Sequence, residues 1–168
     1  RSLIASMIDA YGFDNSTEIV SGWISNLATE VFSNDTNALK AVSSGQCGVT
    51  IVNTYYLARL LDDPKYDNLE LLWANQNDRG VHVNISGAGI VKTSQNKKEA
   101  QKLLEYLSSD SAQDFYASAN KEYPVLKDAS VAESIMVWGA FVEDEINVSK
   151  LGSLQKEAVF LAQEVGYK

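Results

Sequence analysis

Two adjacent tyrosines, Tyr55 and Tyr56, are the residues of this chain best placed to do chemistry. They stand in the stretch Val49-Thr50-Ile51-Val52-Asn53-Thr54-Tyr55-Tyr56-Leu57-Ala58-Arg59-Leu60-Leu61. The apolar run before them reads as a short buried strand. After them the apolar spacing becomes helical, with Asn53 or Thr54 placed to cap the helix. Two phenol oxygens then sit at the first turn of a helix, beside unsatisfied N–H groups and the positive end of the dipole. A free phenol has a pKa of about 10, so a phenolate near neutral pH needs a strong cation as partner. A hard, highly charged metal ion provides one, and Fe(III) is the obvious candidate for oxygen ligands of this kind. On spacing alone, two half-buried aromatic residues remain the competing reading.

The surrounding chain limits the possible chemistry. It has 168 residues, 45% hydrophobic and 21% charged, which is ordinary globular material with room for one substantial core or two small ones. Twenty-two acidic against fourteen basic residues give a formal net charge of -8. That balance argues against nucleic acid as a partner, because phosphate binding depends on Lys and Arg. It suits a protein that attracts cations, although it also serves solubility. Cys47 is the single cysteine, so an internal disulfide and any CxxC metal motif are excluded. A packed, inert thiol is expected there. No apolar stretch is long enough to span a membrane. The opening Arg1-Ser2-Leu3-Ile4-Ala5-Ser6-Met7-Ile8 already looks helical and lacks a signal-peptide pattern, as expected of a fragment.

The elements that must position the tyrosines follow from periodicity. Leu3, Ile4, Met7, Ile8 and Tyr11 share a helical face that stops at Gly12. A second helix is expected after Ser16, with Ile19, Val20, Trp23, Ile24 and Leu27 inward. A third, capped by Asn34-Asp35-Thr36, carries Leu39 and Val42 and ends at Gly45. Strands are expected at Gly48–Val52, Leu69–Trp73 and Val81–Ile85. From Lys97 the pattern is helical, with Ala100, Leu103, Leu104 and Leu107 on one face and Ala112, Phe115, Tyr116 and Ala119 on the next. Two last helices are expected around Val131–Phe141 and Leu151–Val165. Trp23, Trp73 and Trp138 read as core. Interleaved strands and helices indicate an α/β fold.

Several stretches together resemble one family. Ser43-Ser44-Gly45-Gln46-Cys47-Gly48-Val49-Thr50-Ile51-Val52-Asn53-Thr54-Tyr55-Tyr56 resembles the segment ending in the tandem tyrosines of periplasmic ferric-ion-binding proteins, the substrate-binding components of iron(III) ABC transporters. Asp78-Arg79-Gly80-Val81-His82-Val83-Asn84-Ile85-Ser86-Gly87-Ala88-Gly89, Glu122-Tyr123-Pro124-Val125 and Ser149-Lys150-Leu151-Gly152 are similar to later stretches of that family, in the same order. The variant most resembled is the cyanobacterial type that uses several tyrosines.

The resemblance implies the C-terminal half of a two-lobed type II periplasmic-binding-protein fold, with iron clamped between α/β lobes. Residues 1–84 would then be a second-lobe segment carrying the tyrosine pair. Residues 85–128 would hold the hinge-crossing strand, Ile85–Gly89, and helices returning to the first lobe. Residues 129–168 would rejoin the second lobe. The implied metal ligands in this chain are Tyr55 and Tyr56, binding Fe(III) with or without a synergistic anion. The remaining ligands, and an arginine that balances the phenolates, would lie upstream. The implied partners are the ferric ion, an ABC transporter permease and an N-terminal lobe of the same protein; the implied compartment is the periplasm.

Other residues carry weaker signals. His82, the only histidine, stands in an alternating strand where a structural hydrogen bond is the better reading than a metal ligand. Glu143-Asp144-Glu145 reads as a solvated helix end rather than a cation site. The Ser86-Gly87-Ala88-Gly89 run suits close-packed backbone, not a phosphate cradle, since no Lys-Ser/Thr follows. Four Asn-x-Ser/Thr triplets, at Asn15, Asn34, Asn84 and Asn147, are weak matches to glycosylation acceptors. Two rival functions are a binding protein of the same fold for an inorganic or organic anion and, more remotely, a small α/β enzyme. Against the enzyme stand the lack of GxSxG, of a His-rich metal motif and of a dinucleotide fingerprint.

Overall fold

A computed structural model of the chain describes residues 1–167. Among the described residues the α-helices are α1 (Ser2–Tyr11), α2 (Phe13–Ser25), α3 (Asp35–Ser43), α4 (Thr54–Leu60), α5 (Lys97–Leu107), α6 (Asp110–Asn120), α7 (Glu133–Met136) and α8 (Ser149–Glu164), with a 3-10 turn at Pro64–Tyr66. The chain divides into two compact units. Unit 1 holds Arg1–Ile51, Leu71–Asn84 and the described residues from Phe141 onward; unit 2 holds Val52–Glu70 and Ile85–Ala140. The segment carrying Tyr55 and Tyr56 therefore groups with α5 and α6, not with the rest of residues 1–84.

Unit 1 is built on α1, which packs against both α2 and α8. Ile4, Ala5, Met7 and Ile8 from α1 meet Val20 from α2 and Ala158 and Leu161 from α8 in one buried cluster. The apolar spacing predicts this face, and complete burial of a side chain such as Leu161 stabilises the fold by about 1.5–3 kcal/mol. Gly12, at φ 79, ends α1 as expected and its N–H bonds the Ile8 carbonyl at 2.9 Å. α2 begins at Phe13, earlier than Ser16. The reason is that Ser16 is fully buried and its Oγ donates to the Gly12 carbonyl at 2.7 Å, so it lies inside the first turn. Asn34 caps α3 as predicted, its Oδ1 accepting from Asn37 N at 2.9 Å.

The three expected strands do not form ladders. Among the described residues, the β-pairing outside named strands is one parallel bridge, Val81 to Glu143. Gly48–Val52, Leu69–Trp73 and Val81–Ile85 have the composition of strands, but a strand exists only through a paired neighbour. Without one, Val49, Ile51, Leu72 and Ile85 are left exposed along extended chain. At the bridge, Gly80 is required. Its φ is 87, and a Cβ there would come within 2.6 Å of the Glu143 carbonyl group.

Unit 2 has a sparser interior. Leu57 and Ala58 of α4, Ala112 and Ala117 of α6 and Ile135 of α7 are buried, whereas α5 buries none of its residues fully. Leu103 and Phe115, expected inward, are exposed. Gln113 ties the unit together: its Nε2 donates to the Leu107 carbonyl at 2.8 Å and its Oε1 accepts from Val125 N at 3.0 Å. The helix expected over Val131–Phe141 shrinks to the single turn of α7: Ala132 before it is extended, and Gly139, at φ 71, turns the chain away soon after it ends. None of the three tryptophans is fully buried; Trp73 in unit 1 stacks on Phe141 at 4.2 Å.

Candidate metal centre

Tyr55 and Tyr56 occupy the first turn of α4, after Asn53 in extended conformation. Thr54 starts the helix, and the next two residues, Leu57 and Ala58, are its buried anchors. Burying those two turns the preceding pair outward, so both phenols are half-buried instead of sinking into the interior. Their rings lie 4.3 Å apart at 37°. The Asn53 side chain does not cap the helix, and α4 has only seven residues, too short for its dipole to dominate the site.

Arg59, one turn on, holds its guanidinium 5.1 Å from the centre of the Tyr55 ring, and its Nη2 donates to the Asn120 carbonyl at 3.3 Å. Lys121, in left-handed conformation just after α6, approaches Asp62 at 3.6 Å. These two contacts fasten the C-terminal end of the tyrosine segment to the C-terminal end of α6. A cation over an exposed ring contributes about 0.5–1 kcal/mol, enough to favour one ring orientation. The arrangement presents two adjacent oxygen donors on a short, anchored helix next to a fixed positive charge. Among the described residues no group of three or more His, Cys, Asp or Glu could hold a metal ion. Two phenol oxygens alone would leave most of the coordination sphere of a trivalent ion open.

The other singled-out residues lie apart from this pair. His82 belongs to unit 1, where its Nε2 lies 3.1 Å from Ser2 Oγ, the structural hydrogen bond expected of it. Burial holds the imidazole below the ordinary histidine range; Asp144 opposes that shift and Arg79 reinforces it. Tyr123 has a hydroxyl buried enough to raise its pKa. It lines an open cavity of about 580 Å³ with Ser130, Val131, Ile135 and Met136. Cys47 is a half-buried free thiol.

Sequence reading was wrong about Asp144. It is not part of a solvated helix end but lies in extended chain before α8, paired with Arg79 at 2.6 Å with little of either side chain exposed. The partners are 65 residues apart, so no local spacing could have revealed them. No described helix is long and apolar enough to cross a membrane.

Residues 28–114 match the family model described as bacterial extracellular solute-binding protein. The chain is 40% identical to iron uptake protein A1 of Synechocystis, over 100% of this chain and 48% of that protein. Among solved structures, it is similar to a Trichodesmium protein (IdiA, FutA) in complex with iron and citrate, with a TM-score of 0.92 and 40% identity over 99% of this chain and 55% of that one. The ferric binding protein of Campylobacter jejuni gives a TM-score of 0.94 at 33% identity, again over 99% of this chain and 55% of its own. The chain spans about half the length of the curated relatives that it matches along its whole length.

Proposed function

Since this chain belongs to the bacterial extracellular solute-binding proteins, with the fold of part of a type II periplasmic binding protein, we propose that it forms about half of a ferric-ion-binding member. In this reading Tyr55 and Tyr56 are two of the iron ligands. The observation that carries it is the half-exposed phenol pair on an anchored helix, in a chain 40% identical along its full length to an iron uptake protein. The anion-binder rival draws no comparable support, since the relatives it matches most fully are named for iron.

The remaining ligands come from outside these 168 residues. Two phenolates compensate only part of a trivalent charge, so the site is completed by donors on a first half and by an anion; the citrate in the Trichodesmium structure is of that class. The same first half supplies neighbours for the exposed extended segments. The protein works in the periplasm, releases iron to a membrane permease and catalyses no reaction. Each phenol must lose its proton to coordinate, so affinity falls with pH, by up to about tenfold per unit for each proton released.

Equilibrium dialysis against Fe(III) supplied as citrate tests this, using the chain fused behind the first half of the Synechocystis relative. Iron is retained by the wild-type fusion and lost from Tyr55→Phe and Tyr56→Phe. Equal retention by both variants would overturn the assignment.

A further inference from the structure

The Arg79–Asp144 pair is the centre of a larger buried arrangement in unit 1 that the iron reading does not use. Arg79 Nη1 contacts Asp144 Oδ2 at 2.6 Å and donates to Ser6 Oγ at 2.7 Å, and Ser6 Oγ in turn donates to the same Asp144 oxygen at 2.8 Å. Ser6 is fully buried on α1. The Arg79 guanidinium also stacks 5.0 Å from the centre of the Tyr11 ring.

Alongside this cluster the backbones of two segments are joined. Val81 N donates to the Val142 carbonyl at 2.8 Å, and Asp144 N to the Val81 carbonyl at 2.9 Å. Gln76 grips Val142 from the other side, its Oε1 accepting from Val142 N at 2.7 Å and its Nε2 donating to the Val142 carbonyl at 3.1 Å. One of these segments leaves unit 1 after Asn84 and the other re-enters it at Phe141. The contacts thus fasten together the two ends of the 85–140 excursion.

His82 directly follows Val81 in the segment that leaves unit 1. Ser2 Oγ lies 3.1 Å from His82 Nε2 and 3.3 Å from Asn84 Oδ1. Nδ1 is a buried nitrogen without a hydrogen-bond partner. In a protonated ring, whose two nitrogens are both donors, Nδ1 would be a buried, unpartnered N–H on a cation. The charged side chains bearing on the ring are Asp144 from the re-entering segment and Arg79 from its own segment.

We propose that Gln76, Arg79, Asp144 and His82 form a proton-sensitive clasp holding together the two points where the chain leaves and re-enters unit 1, and that protonation of His82 opens it. An open clasp lets water reach the imidazolium, so acid favours opening, in keeping with the depressed basicity of the closed form. This inference is independent of the iron reading.

Native-state hydrogen exchange at the Val81 and Asp144 amides tests it on the chain as it stands, with protection corrected for intrinsic exchange. Protection at both amides should fall by up to about tenfold per pH unit as pH drops below about 6.5, the linkage limit for one proton. The opening should be local, insensitive to low denaturant and distinct from exchange in the α1–α8 core. His82→Gln should leave protection flat with pH. The proposal is overturned if protection in the wild type does not change with pH. It is also overturned if the same fall persists in His82→Gln, or if the two amides exchange only with the global, denaturant-sensitive opening. As the only histidine, His82 can be followed directly by its ring proton signals in the same samples.

Discussion

Unit 1 buries a continuous cluster of large aliphatic side chains from α1, α2 and α8, while unit 2 relies on small residues such as Ala58, Ala112 and Ala117 with a few larger ones among them. The same contrast holds for polar contacts. Unit 1 has an interior ion pair with a buried serine between its partners; unit 2 has the exposed Arg59 contact and the Lys121–Asp62 pair, in which Asp62 is mostly exposed. Unit 1 is thus organised around its own interior. Unit 2 leaves two adjacent phenols half-exposed on α4.

That difference can be broken most sharply in the core. Leu161→Ala should cost about 2–5 kcal/mol by opening a cavity in the α1–α8 contact, measured by urea unfolding. Asp144→Asn comes next. It leaves a guanidinium with little solvent to replace its partner, and a loss on the order of 3 kcal/mol is expected. Gly80→Ala should cost about 2 kcal/mol, since the left-handed backbone and the Glu143 carbonyl both oppose a methyl group. Phe115→Ser in unit 2 should change stability by less than about 0.5 kcal/mol, because that ring is already exposed. A large loss at Phe115 or a negligible one at Leu161 would invert the comparison.

The pH dependence has a definite sign. His82 binds its proton less readily when folded than when unfolded. Below the unfolded value of about 6.5 the unfolded chain therefore holds more protons, and stability falls with pH until the folded value is reached. Thermal melts from pH 7.5 to 5 should show this slope reduced in His82→Gln. An unchanged slope would place the acid sensitivity elsewhere.

The parts of this architecture written in short-range patterns were legible in the sequence. The α1 face, its stop at Gly12 and the Asn34 cap each depend on residues within one or two turns of each other. Tyr55 and Tyr56 were singled out because a change of period beside two phenols is visible in a dozen residues. The expected strands stay unpaired within the described residues for the opposite reason. Val49, Ile51 and Leu72 have strand composition, but pairing depends on neighbours that composition does not name. The Arg79–Asp144–Ser6 cluster was invisible because its members are far apart in sequence and meet only in the folded chain.

Coordination of Fe(III) by Tyr55 and Tyr56 as phenolates, the proposal made above, has a direct optical signature, read by visible absorption as Fe(III) citrate is titrated into the fusion with a first half. A phenolate-to-iron charge-transfer band should grow to saturation in the wild type, and weaken and shift in Tyr55→Phe and Tyr56→Phe. Saturable iron binding with no such band, or with the same band in both variants, would contradict it.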